Sequence, residues 1–277
     1  MPKYKLPNGT ELFYEIFLST EVGGSPWLIF ISGLGDSSVI WGDYVKKLRS
    51  EGYNVLIFDN RDSGQSSLNL DSYTLNDMAV DLILLMNALK IEKAHLVGHS
   101  MGATIAQFVS TNDPNKVQSL TLIAGSPSPK FINLDLINSW VKNFKSRVVD
   151  DVESDEAYKA RLKEVFPYVF SASFLADSEK ISSIVNAAVS YPHRQKFSAY
   201  ARQFSAIVAT PEVEKNYNGP VLLIAGSEDS VVFAILEVEF LKKFPQAKRI
   251  VIKGMRHCVN IEAAERCVTD ISDFLNS

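Results

Sequence analysis

Gly98-His99-Ser100-Met101-Gly102 stands between an apolar run, AHLV, and a segment of helical period, ATIAQFV. A G-x-S-x-G pentapeptide is common by chance, but between a strand and a helix it gains a physical meaning. A serine at so tight a turn is forced into a strained backbone conformation that lifts its hydroxyl above the sheet edge. Side chains at the two glycines would collide with the adjoining strand or helix. The start of the next helix also offers unpaired N–H groups and the positive end of a dipole to negative charge that develops there. The chemistry this suits is nucleophilic attack on a carbonyl; the plainer alternative is a packing turn.

A serine hydroxyl is a poor nucleophile unless a base takes its proton, and the base needs an acid to fix its tautomer. Of the four histidines, His95 falls inside a strand, His99 lies in the turn itself with its side chain directed away from Ser100, and His193 sits in a helical region with no strand to hold it. His257 follows the apolar run RIVIKG and precedes the last helix. That puts it at the carboxyl edge of a sheet, where ligands gather in open α/β folds. For the acid, PVLLIAGSEDS supplies Glu228 and Asp229 just past a strand, of which Asp229 is the choice and Glu228 its solvated neighbour. The segment after SLTLIA supplies only Gly125, Ser126 and Pro127. The chain order Ser100, Asp229, His257 is the one that elbow serines use. Two backbone N–H groups must meet the oxyanion formed on attack. Met101, next to the serine, provides one, and the turn Ser32-Gly33-Leu34-Gly35 provides the other from Leu34.

Those residues need a scaffold. WLIFI (27–31), NVLIF (54–58), AHLVG (94–98) and SLTLIA (119–124) have the near-continuous apolarity of strands covered on both faces, as in parallel sheets. Amphipathic segments alternate with them and read as crossover helices. Ahead of them KYKLPNGTELFYEIF carries two alternating runs around Asn8-Gly9, a hairpin signal. From 127 to 217 the strands vanish. LINSWVKNFKSRV, EAYKARLKEVF and SSIVNAAVSY follow, broken by Pro167, Pro192 and Pro211. Alternation resumes at PVLLIAG and continues through AILEVEFLKKF, KRIVIKG and AAERCVTDISDFL. The expectation is one α/β domain, 1–126 with 218–277, interrupted by a helical insert at 127–217.

With 277 residues, 46% hydrophobic and 22% charged, the chain has the composition of a globular protein with a sizeable core. A net charge of -4 lacks the basic excess that phosphate backbones require, so no nucleic-acid partner is expected. No apolar run approaches the ~18 to 20 residues of a membrane span, and none near the start suits a signal peptide, so a cytoplasmic location is expected. Cys258 and Cys267 are read as reduced thiols.

Taken together, SGLG, DNRDSGQSS, GHSMG, GSED and RHCVNIEAAE resemble the motifs of the α/β-hydrolase fold superfamily, in its lidded serine-esterase branch. The resemblance runs over essentially the whole chain. It implies a mostly parallel eight-stranded sheet flanked by helices, with the 127–217 insert as a lid. It also implies hydrolysis of a small-molecule carboxylic ester through an acyl-enzyme, without cofactor or metal. Departures are Ser32 for the motif histidine, Asp62 for a glycine, Arg256 for the glycine before His257, and Ala264 for a proline. Asp59, Arg61 and Ser66 are expected to brace their turn. The insert's Phe131, Trp140, Phe144, Phe166, Phe170, Phe174 and Phe204 suggest an apolar pocket or the packing of the insert itself. One alternative resembles the methyl esterases of biotin synthesis, with Arg147, Arg161, Arg194 and Arg202 facing an acyl carrier protein. Another is a non-catalytic small-ligand receptor on the same scaffold. A dinucleotide-binding reading of Gly33-Leu34-Gly35 and Asp59 fails because Ser38 occupies the third glycine position.

Overall fold

The computed structural model describes residues 2–20, 24–214, 217–232 and 236–277. Eight strands run in chain order: β1 (Lys3–Lys5), β2 (Glu11–Phe17), β3 (Trp27–Ile31), β4 (Asn54–Phe58), β5 (Ala94–His99), β6 (Val117–Ile123), β7 (Val221–Gly226) and β8 (Lys248–Ile252). They form one sheet in the order β1-β2-β4-β3-β5-β6-β7-β8. The first two pairings, β1 with β2 and β2 with β4, are antiparallel, and the rest are parallel. The opening hairpin turns at Gly9, with φ at 90° and the Leu6 N–H donating to Thr10 O at 2.7 Å. Such a φ is open to glycine at little steric cost.

Both faces of β3 to β7 are covered, which explains their near-continuous apolarity, whereas β8 at the sheet edge is largely exposed. Side chains alternate across a strand, so Leu28 and Phe30 pack with Trp41, Tyr44 and Ile271 on one side. Ile29 and Ile31 join Leu82, Leu96 and Ile105 on the other. The first side is closed by α1 (Gly42–Ser50) and α11 (Ala264–Leu275), the second by α2 (Leu75–Ala88) and α3 (Met101–Asn112). A capping box starts α2: Thr74 Oγ1 accepts from the Asp77 N–H at 3.2 Å while the Asp77 carboxylate accepts from the Thr74 N–H at 2.7 Å.

Between β6 and β7 the chain forms α4 (Leu134–Lys145), α5 (Asp155–Val169), α6 (Ala172–Leu175), α7 (Ser178–Ser190) and α8 (Phe197–Val208). Pro167 does not end α5, which runs two residues further. A proline removes one helical N–H and crowds the carbonyl four residues back, and Phe166 and Val169, both buried, anchor the turn around it in the core. After β7 come α9 (Leu236–Lys243) and, following β8, α10 (Val259–Glu262). Ala234 and Ile235, the first residues of the expected AILEVEFLKKF helix, lie outside the described residues. Lys215 and Asn216, near the end of the expected insert, lie outside them too.

The helices between β6 and β7 are fastened to the sheet through the turn after β4. Asp62, at a motif glycine position, adopts φ 66° and accepts both Arg202 Nε and Nη2 at 2.9 Å, the Tyr73 hydroxyl at 2.8 Å and the Asn69 N–H at 2.8 Å. Gln203 of α8 donates to Arg61 O and Ser63 Oγ, both at 2.9 Å. Within the same turn Asp59 accepts the Ser38 and Gln65 N–H groups, and Arg61 grips Asp81 with Nε and Nη2, so the turn is braced as expected. The Asp62 side chain is fully buried. Replacing it with alanine strands an arginine, a phenol and a backbone N–H, so Asp62→Ala is expected to lower the unfolding free energy by ~3 kcal/mol, measured by urea denaturation.

Candidate active site

Ser100 occupies the single position between β5 and α3, at φ 53° and ψ -116°. A non-glycine residue pays for this conformation unless its surroundings enforce it. Here they do: the Ser100 N–H donates to Ile123 O at 2.9 Å, and the flanking backbones touch. A Cβ on Gly98 would overlap the Gly102 carbonyl, and one on Gly102 would overlap the Ile31 carbonyl, so only glycine lets strand and helix approach this closely. The hydroxyl therefore rises at the carboxyl edge of the sheet.

Two other loops reach the same edge. Asp229 follows β7 and is held by its Oδ1, which accepts the Val231 N–H at 2.9 Å and the Val232 N–H at 3.0 Å. His257 follows β8. Its Nδ1 is 2.8 Å from Asp229 Oδ2 and its Nε2 is 2.9 Å from Ser100 Oγ. The structure thus brings together the three side chains singled out in the sequence, 157 residues apart at the widest. A carboxylate only accepts, so Nδ1 carries the proton and Nε2 is left to accept from the serine hydroxyl. His257 and Asp229 are both buried, whereas Glu228 is exposed.

His99 fixes the histidine loop, and its ring lies 5.2 Å from that of His257. Its Nε2–H donates to His257 O at 3.1 Å, and burial, with His257 nearby, pulls its pKa down to about 3. It is neutral at any working pH. His95 binds Ser119 Oγ at 2.7 Å within the sheet, and His193 is exposed beside Tyr191.

Leu34 and Met101 both border the cavity at Ser100, and among the described residues neither backbone N–H donates to a protein acceptor. The turn carrying Leu34 is steadied without the motif histidine: Ser32 Oγ accepts from Trp41 Nε1 at 3.0 Å and Ser32 O from Asn60 Nδ2 at 3.1 Å. Two free donors beside a hydroxyl, histidine and carboxylate in series can move a proton and hold an oxyanion.

The cavity measures about 290 Å³ and is mostly apolar, lined among others by Ile137, Trp140, Phe166, Ile184 and Ile207 from the helices between β6 and β7. Of the seven aromatics marked in the sequence, Trp140, Phe144, Phe166 and Phe170 line it, while buried Phe174 and Phe204 pack the helices. The four arginines do not form a free basic face. Arg147 pairs with Glu164 at 2.8 Å, Arg194 with Asp155 at 2.8 Å and Arg202 with Asp62 at 2.9 Å. Arg161 is buried in the cavity wall, 3.1 Å from Glu153 and over the Tyr158 ring. Sequence reasoning overlooked Asp36 and Tyr158, which also border the cavity. Asp36 stands one residue past SGLG, where a signal existed; Tyr158, on an amphipathic helix, gave none. Among the described residues no helix is long and apolar enough to cross a membrane.

The model of the alpha/beta hydrolase fold family matches residues 26–264. Similar proteins include 3-oxoadipate enol-lactonase 1 of Acinetobacter baylyi, 25% identical over 94% of this chain and 93% of that protein. An sn-1-specific diacylglycerol lipase of Danio rerio is 25% identical over 95% of this chain and 82% of its own. Among solved structures, an enol-lactonase from Burkholderia xenovorans superposes with a TM-score of 0.83 at 23% identity, covering 100% of both chains. The sheet order, the serine between β5 and α3 and the span of the family match agree, and the chain belongs to the α/β-hydrolase fold family.

Proposed function

We propose that the chain is a serine hydrolase that cleaves a carboxylic ester of a small or medium-sized substrate through an acyl-enzyme. The observation that carries this reading is the series Ser100 Oγ, His257 Nε2 and Asp229 Oδ2 at 2.9 and 2.8 Å. His257 takes the hydroxyl proton as Oγ bonds to the ester carbon, and the carbonyl oxygen becomes an anion facing the Leu34 and Met101 N–H groups. Collapse breaks the bond to the alkoxy oxygen, which leaves with the proton from His257. Water then repeats the sequence, giving its proton to His257 and its oxygen to the acyl carbon, and Ser100 recovers its own. Asp229 stays ionised and stabilises the imidazolium.

The apolar wall suits an acyl chain or an apolar leaving group, and residues 127–217 serve as a lid. Lactones, as internal esters, fall within the same chemistry. The arginine pairing removes the support for docking an acyl carrier protein. A serine-directed fluorophosphonate is expected to label Ser100 stoichiometrically, and a panel of p-nitrophenyl esters to show turnover that labelling abolishes. Tight binding of these esters with neither labelling nor turnover would favour a receptor instead.

A further inference from the structure

Asp36 lies in the loop after β3, two residues past Leu34, and its carboxyl borders the cavity with 30% of the side chain open. A Cβ placed on Gly33 would be 3.3 Å from Ser100 Cβ and 3.4 Å from Asp36 Oδ2, so nucleophile and carboxylate flank the same glycine. The groups facing it are His99 from β5, His257 and Cys258 after β8, Tyr158 and Arg161 from α5, and Tyr200 from α8. None is a standing cation for it. His99 is neutral, burial holds the Cys258 thiol protonated, His257 Nδ1 is committed to Asp229 Oδ2 at 2.8 Å, and Arg161 is 3.1 Å from Glu153. Among the described residues Asp36 has no lysine or arginine partner. Its Oδ2 is 3.8 Å from His99 Nδ1, a buried nitrogen without a partner. Since His99 Nε2–H is committed to His257 O, Nδ1 presents a lone pair. Two acceptors thus face each other beside the nucleophile, a place that suits a hydrogen-bond donor or a cation.

We propose that Asp36 is a specificity-determining residue that favours esters with a cationic or hydrogen-bond-donating group beside the scissile bond and disfavours those with an anionic group there. The inference rests on the ester-cleaving role of Ser100. An unpaired charge in an apolar cavity is weakly screened, so adding or removing one charge on the substrate changes relative kcat/KM by about tenfold. Burial raises the Asp36 carboxyl to about 6, against the opposing pull of His257. The selection is therefore present at pH 8 and fades as pH falls through about 6, where the carboxyl takes up a proton and loses its charge.

The test compares kcat/KM for butyrylcholine with that for its uncharged isostere 3,3-dimethylbutyl butyrate between pH 5 and 8. Any pH dependence common to the two esters cancels in the ratio. In the parent the ratio is expected to favour butyrylcholine at pH 8 and to fall about tenfold by pH 5. In Asp36→Asn it is expected to be low and flat with pH. A ratio that Asp36→Asn leaves unchanged overturns the proposal. If neither ester is cleaved, fluorophosphonate labelling and the p-nitrophenyl ester panel decide the ester reading, and calorimetric binding of choline against 3,3-dimethylbutan-1-ol decides the charge selection alone. Preference for choline in the parent and its loss in Asp36→Asn supports it; equal preference in both overturns it. Folding of the variant is checked by its melting temperature. The carboxyl has a folded pKa above its ordinary 3.8, so its ionisation costs stability as pH rises through about 6. Asp36→Asn is then expected to melt a few degrees higher than the parent at pH 8 and no higher at pH 4.

Discussion

A Ser100→Ala protein is expected to lose at least ~10⁴-fold in kcat on any ester the parent cleaves, with its melting temperature nearly unchanged. The two halves of this expectation have separate physical causes. In the proposed mechanism the Ser100 hydroxyl forms the covalent bond to the acyl carbon, and an alanine leaves no neighbour to take over that role. The remaining Leu34 and Met101 N–H groups can still polarise a carbonyl, which leaves a residual rate above that in water. Stability should hold because the strained φ of 53° is enforced by the Ser100 N–H bond to Ile123 and by the contact of Gly98 with Gly102, none of which involves Oγ. Alanine suffers the same strain as serine. His257 Nε2 loses its partner, but it faces the cavity, where water can replace the hydroxyl. Single-turnover kinetics at enzyme excess, with the active serine titrated to exclude contaminating parent, checks the prediction. A loss below tenfold would remove Ser100 from the mechanism.

How much of this could be read from the sequence depended on how local the signal was. WLIFI read as a buried strand because each face of β3 meets its own helix layer, and that requirement writes itself into consecutive residues. Gly98 and Gly102 were legible because close backbone approach tolerates only one residue type. Asp229 and His257 were legible because each directly follows a strand, so the sheet fixes where they emerge. The chain was less readable between β6 and β7. Pro167 suggested a break, yet packing of Phe166 and Val169 carries α5 past it. The arginines looked like an available basic face because their carboxylates are chosen by tertiary packing; Arg202 meets Asp62 from 140 residues away. Asp36 follows SGLG directly, so its nearness to the site was legible, but its surroundings were not, for the same reason. Nothing in the local sequence says that its neighbours would be two tyrosines from other helices and a histidine committed elsewhere.

The second large effect is expected from the conservative change Asp229→Asn, which keeps the shape and removes one charge. Asp229 Oδ1 accepts two backbone N–H groups, from Val231 and Val232, while Oδ2 accepts from His257 Nδ1. An asparagine must divide these positions between one oxygen and one NH2. With its oxygen toward the two backbone N–H groups, as two donors demand, the NH2 faces His257 Nδ1 and makes that nitrogen an acceptor. The ring proton then moves to Nε2, which donates to Ser100 Oγ instead of accepting from it. The opposite rotamer restores the tautomer but sets an NH2 against two N–H donors in a buried site, at a cost of about 1–3 kcal/mol per unsatisfied group. Either way the productive arrangement is rare, and kcat/KM should fall by about 10⁴-fold near neutral pH. Fluorophosphonate labelling of Ser100 should slow in parallel, since it needs the same proton transfer. An imidazole nitrogen NMR shift would report the tautomer directly: Nδ1 protonated in the parent, Nε2 protonated in the variant. Full activity with Nδ1 still protonated would mean that Asp229 orients nothing essential, and the acid of the site would have to be sought elsewhere on the sheet edge.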